Sequence, residues 1–216
     1  MGAQASLIVR GRAALTHTAV TVREAASPEA LAAIAEPDTA AVLCQRHFDP
    51  ALAAWLDGLP VAALPSLRAT LAVDAVGEAV EAACDTAGTP ATVERAALIA
   101  DIARLARGFS AAAGTSALAL RLDVVQGDSC RRFHIDNVRL RLLCTYRGDG
   151  TEYGVAASGC VPDHVHRVLC GMPAVFRGRR WPGEVTGLAH RSPPIAGTGQ
   201  TRLLLVIDPD EPDEDD

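Results

Sequence analysis

The stretch Arg131–Tyr153, RRFHIDNVRLRLLCTYRGDGTEY, predicts how the C-terminal half of the chain folds. It contains a short extended run, a second run with alternating apolar residues, and a glycine-rich turn at residues 148–150. Because residues i and i+2 of a strand lie on one face, His134 and Asp136 should project together, with Ile135 facing the opposite way. An imidazole and a carboxylate on one face supply two of the ligands of a facial triad for a divalent metal.

The third ligand of this triad is predicted to be His190, which lies in the segment LAHRSPPI at residues 188–195. Arg202 follows at the start of the last strongly apolar run. A single His-x-Asp pair is more often a histidine hydrogen-bonded to a neighbouring acid than a metal site. The ordered set of His-x-Asp, a distant histidine and a following arginine, all near strand-like segments, favours the metal site here.

Composition excludes several classes of protein. The chain has 216 residues, of which 49% are apolar and 21% charged, enough for a globular domain with a substantial core. Aromatic residues make up 4%, too few for a platform that stacks single-stranded nucleic acid, and the net charge of -6 shows no basic footprint for DNA. All 20 basic residues are arginines, which excludes lysine-based catalysis and a P-loop.

Cysteine usage and hydropathy predict a reduced cytoplasmic protein without a membrane partner. The six cysteines show no Cys-x-x-Cys spacing, and no secretory signal pattern is visible at the start of the sequence. No apolar run approaches the length of about 20 residues that a membrane-spanning helix needs.

The fold class predicted is α+β, with a helical N-terminal half packed on a β-rich C-terminal half. Residues 1–115 should form a mainly helical support region with a few short strands, including one at residues 6–10. Apolar residues recur at helical spacing in two alanine-rich stretches, 66–87 and 92–113, and shorter helices are expected at 27–35 and 51–56. Residues 209–216 should be a disordered acidic tail.

After Gly114 the spacing of apolar residues changes from helical to strand periodicity. Several short strands joined by Gly- and Pro-rich turns indicate a sandwich or barrel over residues 116–208 and not a parallel βαβ sheet. The predicted strands are 117–125, 133–136, 138–146, 173–176, 186–190 and 202–207.

This C-terminal half resembles the double-stranded β-helix of Fe(II)- and 2-oxoglutarate-dependent oxygenases, most closely their prolyl-hydroxylase-like branch. The resemblance covers roughly residues 117–207. It is carried, in chain order, by His134-Ile-Asp136, Arg141, Thr145-Tyr146, the turn and strand start at 148–152, the apolar run 172–176, His190, Pro194-Ile195 and Arg202.

The resemblance implies a jelly-roll-like barrel that binds Fe(II) through His134, Asp136 and His190. It also implies that Arg202 grips the distal carboxylate of 2-oxoglutarate, with help from a hydroxyl of Thr145 or Tyr146, because bidentate arginine–carboxylate pairing fixes orientation. Arg141 is the second choice for this role. The competing interpretation of Arg202 is a salt bridge on an edge strand.

Over nearly its full length the chain is identified as a member of an uncharacterised bacterial family, domain of unknown function 1826. The identification is based on the phrases FHIDNVRLRLLCTY at 133–146, HRSPPI at 190–195 and RLLLVID at 202–208. The family has no assigned activity, and some members lie beside zinc-responsive genes.

Cysteines and histidines near the predicted site leave a zinc alternative open, since thiolate and imidazole together favour Zn(II). A second cluster could form between residues 153 and 173, and two further thiols could approach the triad. The residues concerned are Cys160, His164, His166 and Cys170 for the second cluster, and Cys130 and Cys144 for the triad.

Three functions remain open on the sequence. The first is a hydroxylase or dioxygenase that acts on an unknown small-molecule or protein substrate with Fe(II) and 2-oxoglutarate. The second is a non-catalytic zinc-binding protein of metal homeostasis. The third is a metal-free β-barrel interaction module.

Overall fold

The computed structural model describes residues 17–211. The strand predicted at 6–10 and most of the predicted acidic tail, residues 212–216, lie outside this range. Three α-helices, one eight-residue 3-10 helix (Pro28–Ala35) and two single 3-10 turns (Val61–Ala63 and Val73–Ala75) are described. The α-helices are α1 (Pro50–Gly58), α2 (Val76–Thr86) and α3 (Val93–Ala113).

Twelve strands account for most of the remaining regular structure of residues 17–211. They are β1 (Thr18–Ala19), β2 (Thr21–Ala25), β3 (Thr39–Cys44), β4 (Leu67–Ala72), β5 (Ala117–Val125), β6 (Leu140–Arg147), β7 (Glu152–Val155), β8 (His166–Arg167), β9 (Pro173–Arg177), β10 (Val185–Thr186), β11 (Leu188–Arg191) and β12 (Arg202–Pro209).

A seven-stranded sheet in the order β2-β3-β9-β6-β12-β5-β4 dominates the fold. β2 and β3 pair in parallel, and every other neighbouring pair in this sheet is antiparallel. β12 lies near its centre, and its residues are almost all buried because both faces of the sheet are covered. The protein is therefore a mixed α/β fold built on a large, mainly antiparallel sheet.

A smaller sheet in the order β11-β7-β8 covers one face of the large sheet. β11 is extended on its free side by an isolated bridge between His134 and His190. The predicted strand at 133–136 is therefore reduced to this single bridge. A third pairing joins β1 and β10 in parallel.

The helices cover the other face of the large sheet. Alternating strand residues such as Leu118, Leu120 and Leu122 point toward them and join one hydrophobic core with the apolar side of α3. α3 begins at Thr92, whose hydroxyl accepts a hydrogen bond from the amide of Arg95, and ends at Gly114 with a left-handed φ of 65°. No helix within residues 17–211 has the length and hydropathy needed to cross a membrane.

The helix predicted over 66–87 is wrong in its first part. Leu67–Ala72 forms β4, which pairs antiparallel with β5 at the edge of the large sheet, and α2 begins at Val76. The sequence LRATLA alternates half-buried and exposed side chains, a period of two that an alanine-rich composition conceals. The N-terminal region thus supplies β2, β3 and β4 to the same sheet as the C-terminal strands.

A close backbone contact at Gly178 fixes the segment that carries Asp136. The amide of Gly178 donates to the carbonyl of Arg139, and the amide of Arg179 donates to the carbonyl of Asp136, both at 2.9 Å. A Cβ at position 178 would lie 1.9 Å from the carbonyl oxygen of Val138, which leaves no room for any side chain.

We expect Gly178→Ala to destabilise the protein by about 1–3 kcal/mol, since the backbone of one of the two segments must move to admit the methyl group. The measurement is chemical unfolding followed by circular dichroism. Gly58→Ala is the matched control, because a Cβ at the end of α1 meets nothing within 4 Å. An equal effect of both substitutions would contradict the proposed contact.

Candidate metal centre

His190 meets His134 and Asp136, more than 50 residues earlier in the sequence, between the two sheets. One ligand atom each from His134, Asp136 and His190 lies within 4.8 Å of the other two. Paired backbone hydrogen bonds of 2.9 Å between His134 and His190 hold the two histidines side by side, and their ring centroids are 4.8 Å apart. The predicted triad is thus brought together, and Ile135 packs on the opposite side with Phe133 and Ala189.

The imidazole of His134 is oriented by a backbone contact. Its Nδ1 lies 2.9 Å from the carbonyl oxygen of Arg132, so Nδ1 must carry the hydrogen that it donates. Nε2 is then the atom that faces Asp136, at 3.5 Å from Oδ1. A bond from the second ring nitrogen to a carbonyl is the usual way in which proteins fix a metal-binding histidine.

The carboxylate of Asp136 is buried and surrounded by positive or potentially positive groups. Arg141 donates to Oδ1, and the same guanidinium donates to both carboxylate oxygens of Asp208 at 2.7 and 2.6 Å. Burial acts to raise the pKa of Asp136, but the contacts with His134, His190 and Arg141 outweigh it and hold that pKa well below its usual range. Asp136 is therefore an anion throughout the physiological range.

One buried oxygen of this carboxylate is left without a hydrogen bond. Oδ2 of Asp136 has no hydrogen-bond partner within residues 17–211, although Nε2 of His190 lies 3.0 Å away. That distance suits an ion pair, but burial lowers the pKa of His190 and so disfavours its charged form. A carboxylate whose two oxygens face the Nε2 atoms of two imidazoles is a donor set that a divalent cation takes, so these residues fit a metal ion.

Arg202 is fully buried and lacks an acidic partner. Its guanidinium donates to the main-chain carbonyl of Asp149 at 2.6 Å, to Oγ of Ser192 at 3.0 Å and to Oγ1 of Thr145 at 3.2 Å. No carboxylate of residues 17–211 forms an ion pair with it, since the side chain of Asp149 instead pairs with Arg167 at 3.2 Å. Burial lowers the pKa of Arg202 to about 10, so this uncompensated group is still charged at neutral pH.

The four residues predicted to bind a cosubstrate have different positions. Thr145 lies against Arg202, as expected. Tyr146 points to the helical side of the large sheet and donates to Asp101 at 2.6 Å, so the structure does not bring it to this pocket. All three guanidinium nitrogens of Arg141 already donate hydrogen bonds to the carboxylates of Asp136 and Asp208. No two of them are therefore left to bind a further carboxylate.

Within residues 17–211 the geometry does not support the alternative of a zinc site built from cysteine and histidine ligands. The His134–Asp136–His190 group is the one cluster of three or more possible ligand side chains found in that range. Cys160, His164, His166 and Cys170 therefore do not form a second one. Cys144 lies in the core on the helical side, and Cys130 is exposed at the rim of the site, 4 residues before His134 in the sequence.

A small cavity of about 60 Å³ adjoins the triad. His134, Arg141 and His190 line it on the metal side, and Thr151 and Ser192 line it farther in. Ser192 is also one of the two hydroxyls that contact Arg202, so it connects the lining of this cavity to the buried guanidinium.

Sequence reasoning missed three residues of the site. Asp208 shares the guanidinium of Arg141, and Ser192 and Asp149 contact Arg202. Asp208 had a detectable signal: Arg141 and Asp208 each occupy a position of a strongly apolar strand where a charge needs a partner. Ser192 and Asp149 lie in loops, and nothing in their sequence context indicates the contact.

The chain belongs to the family described as "Protein of unknown function (DUF1826)", whose model matches residues 25–208. No protein with a curated description matches the sequence.

Among solved structures the chain is similar to AtDAO1, the dioxygenase for auxin oxidation 1 of Arabidopsis thaliana, in a complex with 2-oxoglutarate. The identity is 15% and the TM-score 0.51, over 91% of this chain and 94% of that chain. It is also similar to a 2OG-Fe(II) oxygenase family oxidoreductase from Burkholderia pseudomallei (17% identity, TM-score 0.42, 87% and 94% covered). A prolyl-4-hydroxylase from Pseudomonas putida matches at 19% identity and a TM-score of 0.33, over 74% and 94%. The first likeness shows a shared fold.

We expect Arg141→Gln to destabilise the metal-free protein by about 3–5 kcal/mol, because it leaves two buried carboxylates, Asp136 and Asp208, without their shared cation. Chemical unfolding in the presence of a chelator measures this. Arg68→Gln is the control, since Arg68 is 73% exposed and 3.9 Å from its nearest acid; it should change stability by less than about 0.5 kcal/mol. If the two variants were equally stable, the buried network would not hold the site.

Proposed function

We propose that this protein is an Fe(II)- and 2-oxoglutarate-dependent oxygenase that hydroxylates or otherwise oxidises a primary substrate. The observation that carries the proposal is the buried, uncompensated guanidinium of Arg202 beside a His-Asp-His cluster. A buried cation without an acid is costly to the folded protein unless an anionic ligand neutralises it. The fold shared with AtDAO1, which was solved with 2-oxoglutarate, supports the same conclusion.

The finer fold that we propose is the double-stranded β-helix. β9, β6, β12 and β5 would form its major sheet, and the 134–136 segment, β11, β7 and β8 its minor sheet. The order of strands in both sheets supports this assignment, with the His134–His190 bridge adding the first strand of the minor sheet. β2, β3 and β4 would then be additions at the two edges of the major sheet.

The distance along the backbone between His190 and Ser192 is compatible with the length of a short dicarboxylate. Ser192, which contacts Arg202, lies two residues beyond His190, about 6–7 Å along an extended backbone. One end of a five-carbon 2-oxo diacid could therefore reach the triad while its distal carboxylate pairs with Arg202. The fork of Arg202 would fix the orientation, and Thr145 and Ser192 would hold the fork.

His134, Asp136 and His190 would hold the iron through Nε2, a carboxylate oxygen and an imidazole nitrogen. When bound, the metal with its 2-oxo acid would supply the activation of dioxygen for oxidative chemistry. The protein's own contribution is positional. Arg141 keeps Oδ1 of Asp136 occupied so that Oδ2 is presented to the site, and the Arg132 carbonyl keeps Nε2 of His134 turned inward.

Metal binding is tested by the double variant His134→Ala with Asp136→Ala. We expect the wild type, purified anaerobically and incubated with Fe(II), to hold about one metal ion per chain and the double variant to hold none, since too few donors remain. Elemental analysis provides the measurement. The control is His164→Ala with His166→Ala, two exposed histidines outside the cluster, which should keep full metal content.

Full metal content in the His134/Asp136 variant would contradict the triad. Tightly held zinc in the wild type, with no response to 2-oxoglutarate, would instead favour the zinc-binding alternative.

Cosubstrate binding is tested by Arg202→Met, which keeps a similar length but removes the charge. We expect the affinity of the metal-loaded protein for 2-oxoglutarate to fall by at least about 30-fold, the lower end of what losing a buried charge pair costs. Metal content should not change. Isothermal titration calorimetry with Mn(II) or Fe(II) in place measures the affinity, and elemental analysis measures the metal content.

Pyruvate provides the matched ligand control because it keeps the 2-oxo acid but has no distal carboxylate. Its weaker affinity should be nearly the same for the wild type and Arg202→Met. If 2-oxoglutarate fails to bind the metal-loaded wild type, the oxygenase assignment is wrong whichever metal is present.

A further inference from the structure

A second and much larger cavity of about 760 Å³ lies at the opposite end of the space between the two sheets. Its floor is apolar and buried, formed by Leu43 on β3, Met172 just before β9, and Leu188 on β11. Its rim is exposed and carries most of the polar side chains of the lining, together with Val155 and Leu169. This size and this division between floor and rim are typical of small-molecule sites.

The cavity is separated from the metal centre by a single layer of side chains. Leu188 lies two residues before His190 on the same strand face, and Tyr153 is the cross-strand partner of His190. The Tyr153 ring is 6.2 Å from that of Phe176, which is 4.7 Å from the ring of His190. A molecule resting on Leu188 and Tyr153 is therefore a near neighbour of the triad.

The charges around this cavity favour a cation. Glu24 and Asp163 line it, and neither forms an ion pair with any residue of the range 17–211; Glu24 only accepts a hydrogen bond from Gln45 at 3.0 Å. Arg167 also lines it, but its charge is neutralised by Asp149 at 3.2 Å and Glu152 at 2.9 Å. Two carboxylates thus stand against one arginine that is already paired, and the other basic side chains of the lining are the exposed imidazoles of His164 and His166.

Aromatic and apolar groups complete the recognition surface. Tyr153, whose ring stacks on that of His166 at 5.4 Å, supplies an aromatic face of the kind that attracts an ammonium group. Leu169, 64% exposed, and Val155, 59% exposed, leave apolar surface at the rim that a ligand could cover.

We propose that this cavity binds a largely apolar small molecule that carries an ammonium group. The apolar body lies on Leu43, Met172 and Leu188, and the ammonium pairs with the carboxylates of Glu24 and Asp163 at the rim. This preference for a cation rests only on the cavity and does not depend on the proposed function.

Three probes of the same shape and different charge test the preference: phenethylamine, 2-phenylethanol and 3-phenylpropanoate. Binding to the metal-free protein is measured by ligand-observed NMR titration. We expect phenethylamine to bind about tenfold more tightly than the alcohol, and the carboxylate to bind most weakly. Glu24→Gln with Asp163→Asn should abolish the difference between amine and alcohol.

Two further variants make the location specific. Leu169→Trp, at an exposed rim position that tolerates a larger side chain, should fill the cavity and weaken all three probes together. Glu81→Gln, an exposed acid on α2 far from the cavity, removes one negative charge elsewhere and should leave the preference intact. Equal binding of the three probes by the wild type would overturn the proposal, as would a preference that survives in the Glu24/Asp163 variant.

Proximity to the triad is tested with Mn(II), whose unpaired electrons speed the relaxation of nearby protons. The protons of bound phenethylamine should relax faster in the Mn(II)-loaded protein than in the Zn(II)-loaded one, and His134→Ala with Asp136→Ala should remove the effect. Amine binding without faster relaxation would overturn the placement of the amine beside the triad. Failure of Mn(II) itself to bind is seen separately in its own resonance spectrum and would count against the oxygenase proposal, while the metal-free titration still decides the charge preference.

Discussion

The buried carboxylate of Asp136 is the group on which the site depends. It lies between Arg141 and the two imidazoles of His134 and His190, and each of these contacts draws on a different element. Arg141 comes from β6, at the centre of the large sheet, and also binds Asp208 on β12. The carboxylate thus ties the small sheet to the large one. A charge this deeply buried is tolerated because Arg141 pairs with one carboxylate oxygen, and the remaining oxygen is left for a cation.

Arg202 is a buried charge of the opposite sign. It is the first residue of β12, whereas Asp208, which shares Arg141 with Asp136, lies near the last. Asp136 is an anion paired with Arg141 and faced by two imidazoles, whereas Arg202 is a cation held only by a carbonyl and two hydroxyls. Neutral acceptors can orient a guanidinium without cancelling its charge. Ser192, which lines the small cavity beside the triad, is one of the two hydroxyls that hold Arg202 in place.

The two cavities between the sheets differ in the charged side chains that line them. The row of rings from His134 to Tyr153 marks the boundary between them. On one side, arginines and hydroxyls surround a space of about 60 Å³. On the other, unpaired acids surround a space of about 760 Å³. The N-terminal strands matter for this division, because β2 and β3 extend the large sheet beyond β9 and supply Glu24 and Leu43 to the larger cavity. They belong to the proposed site as well as to its support.

The sequence by itself determined which residues share a strand face. The alternation in 131–153 was enough to place His134 and Asp136 together with Ile135 opposite, and 92–113 was enough for α3, because both patterns follow from local backbone geometry. The order of His-x-Asp, His and Arg was enough to nominate His190 and Arg202. Tertiary structure decided what local periodicity cannot express. It placed Leu67–Ala72 in a sheet because β5 offered an unpaired edge, and it turned Tyr146 toward Asp101 because its strand face packs on α3. It also assigned Arg141 to Asp136 and Asp208, since charges buried between sheets must pair with whichever opposite charge the fold brings within reach.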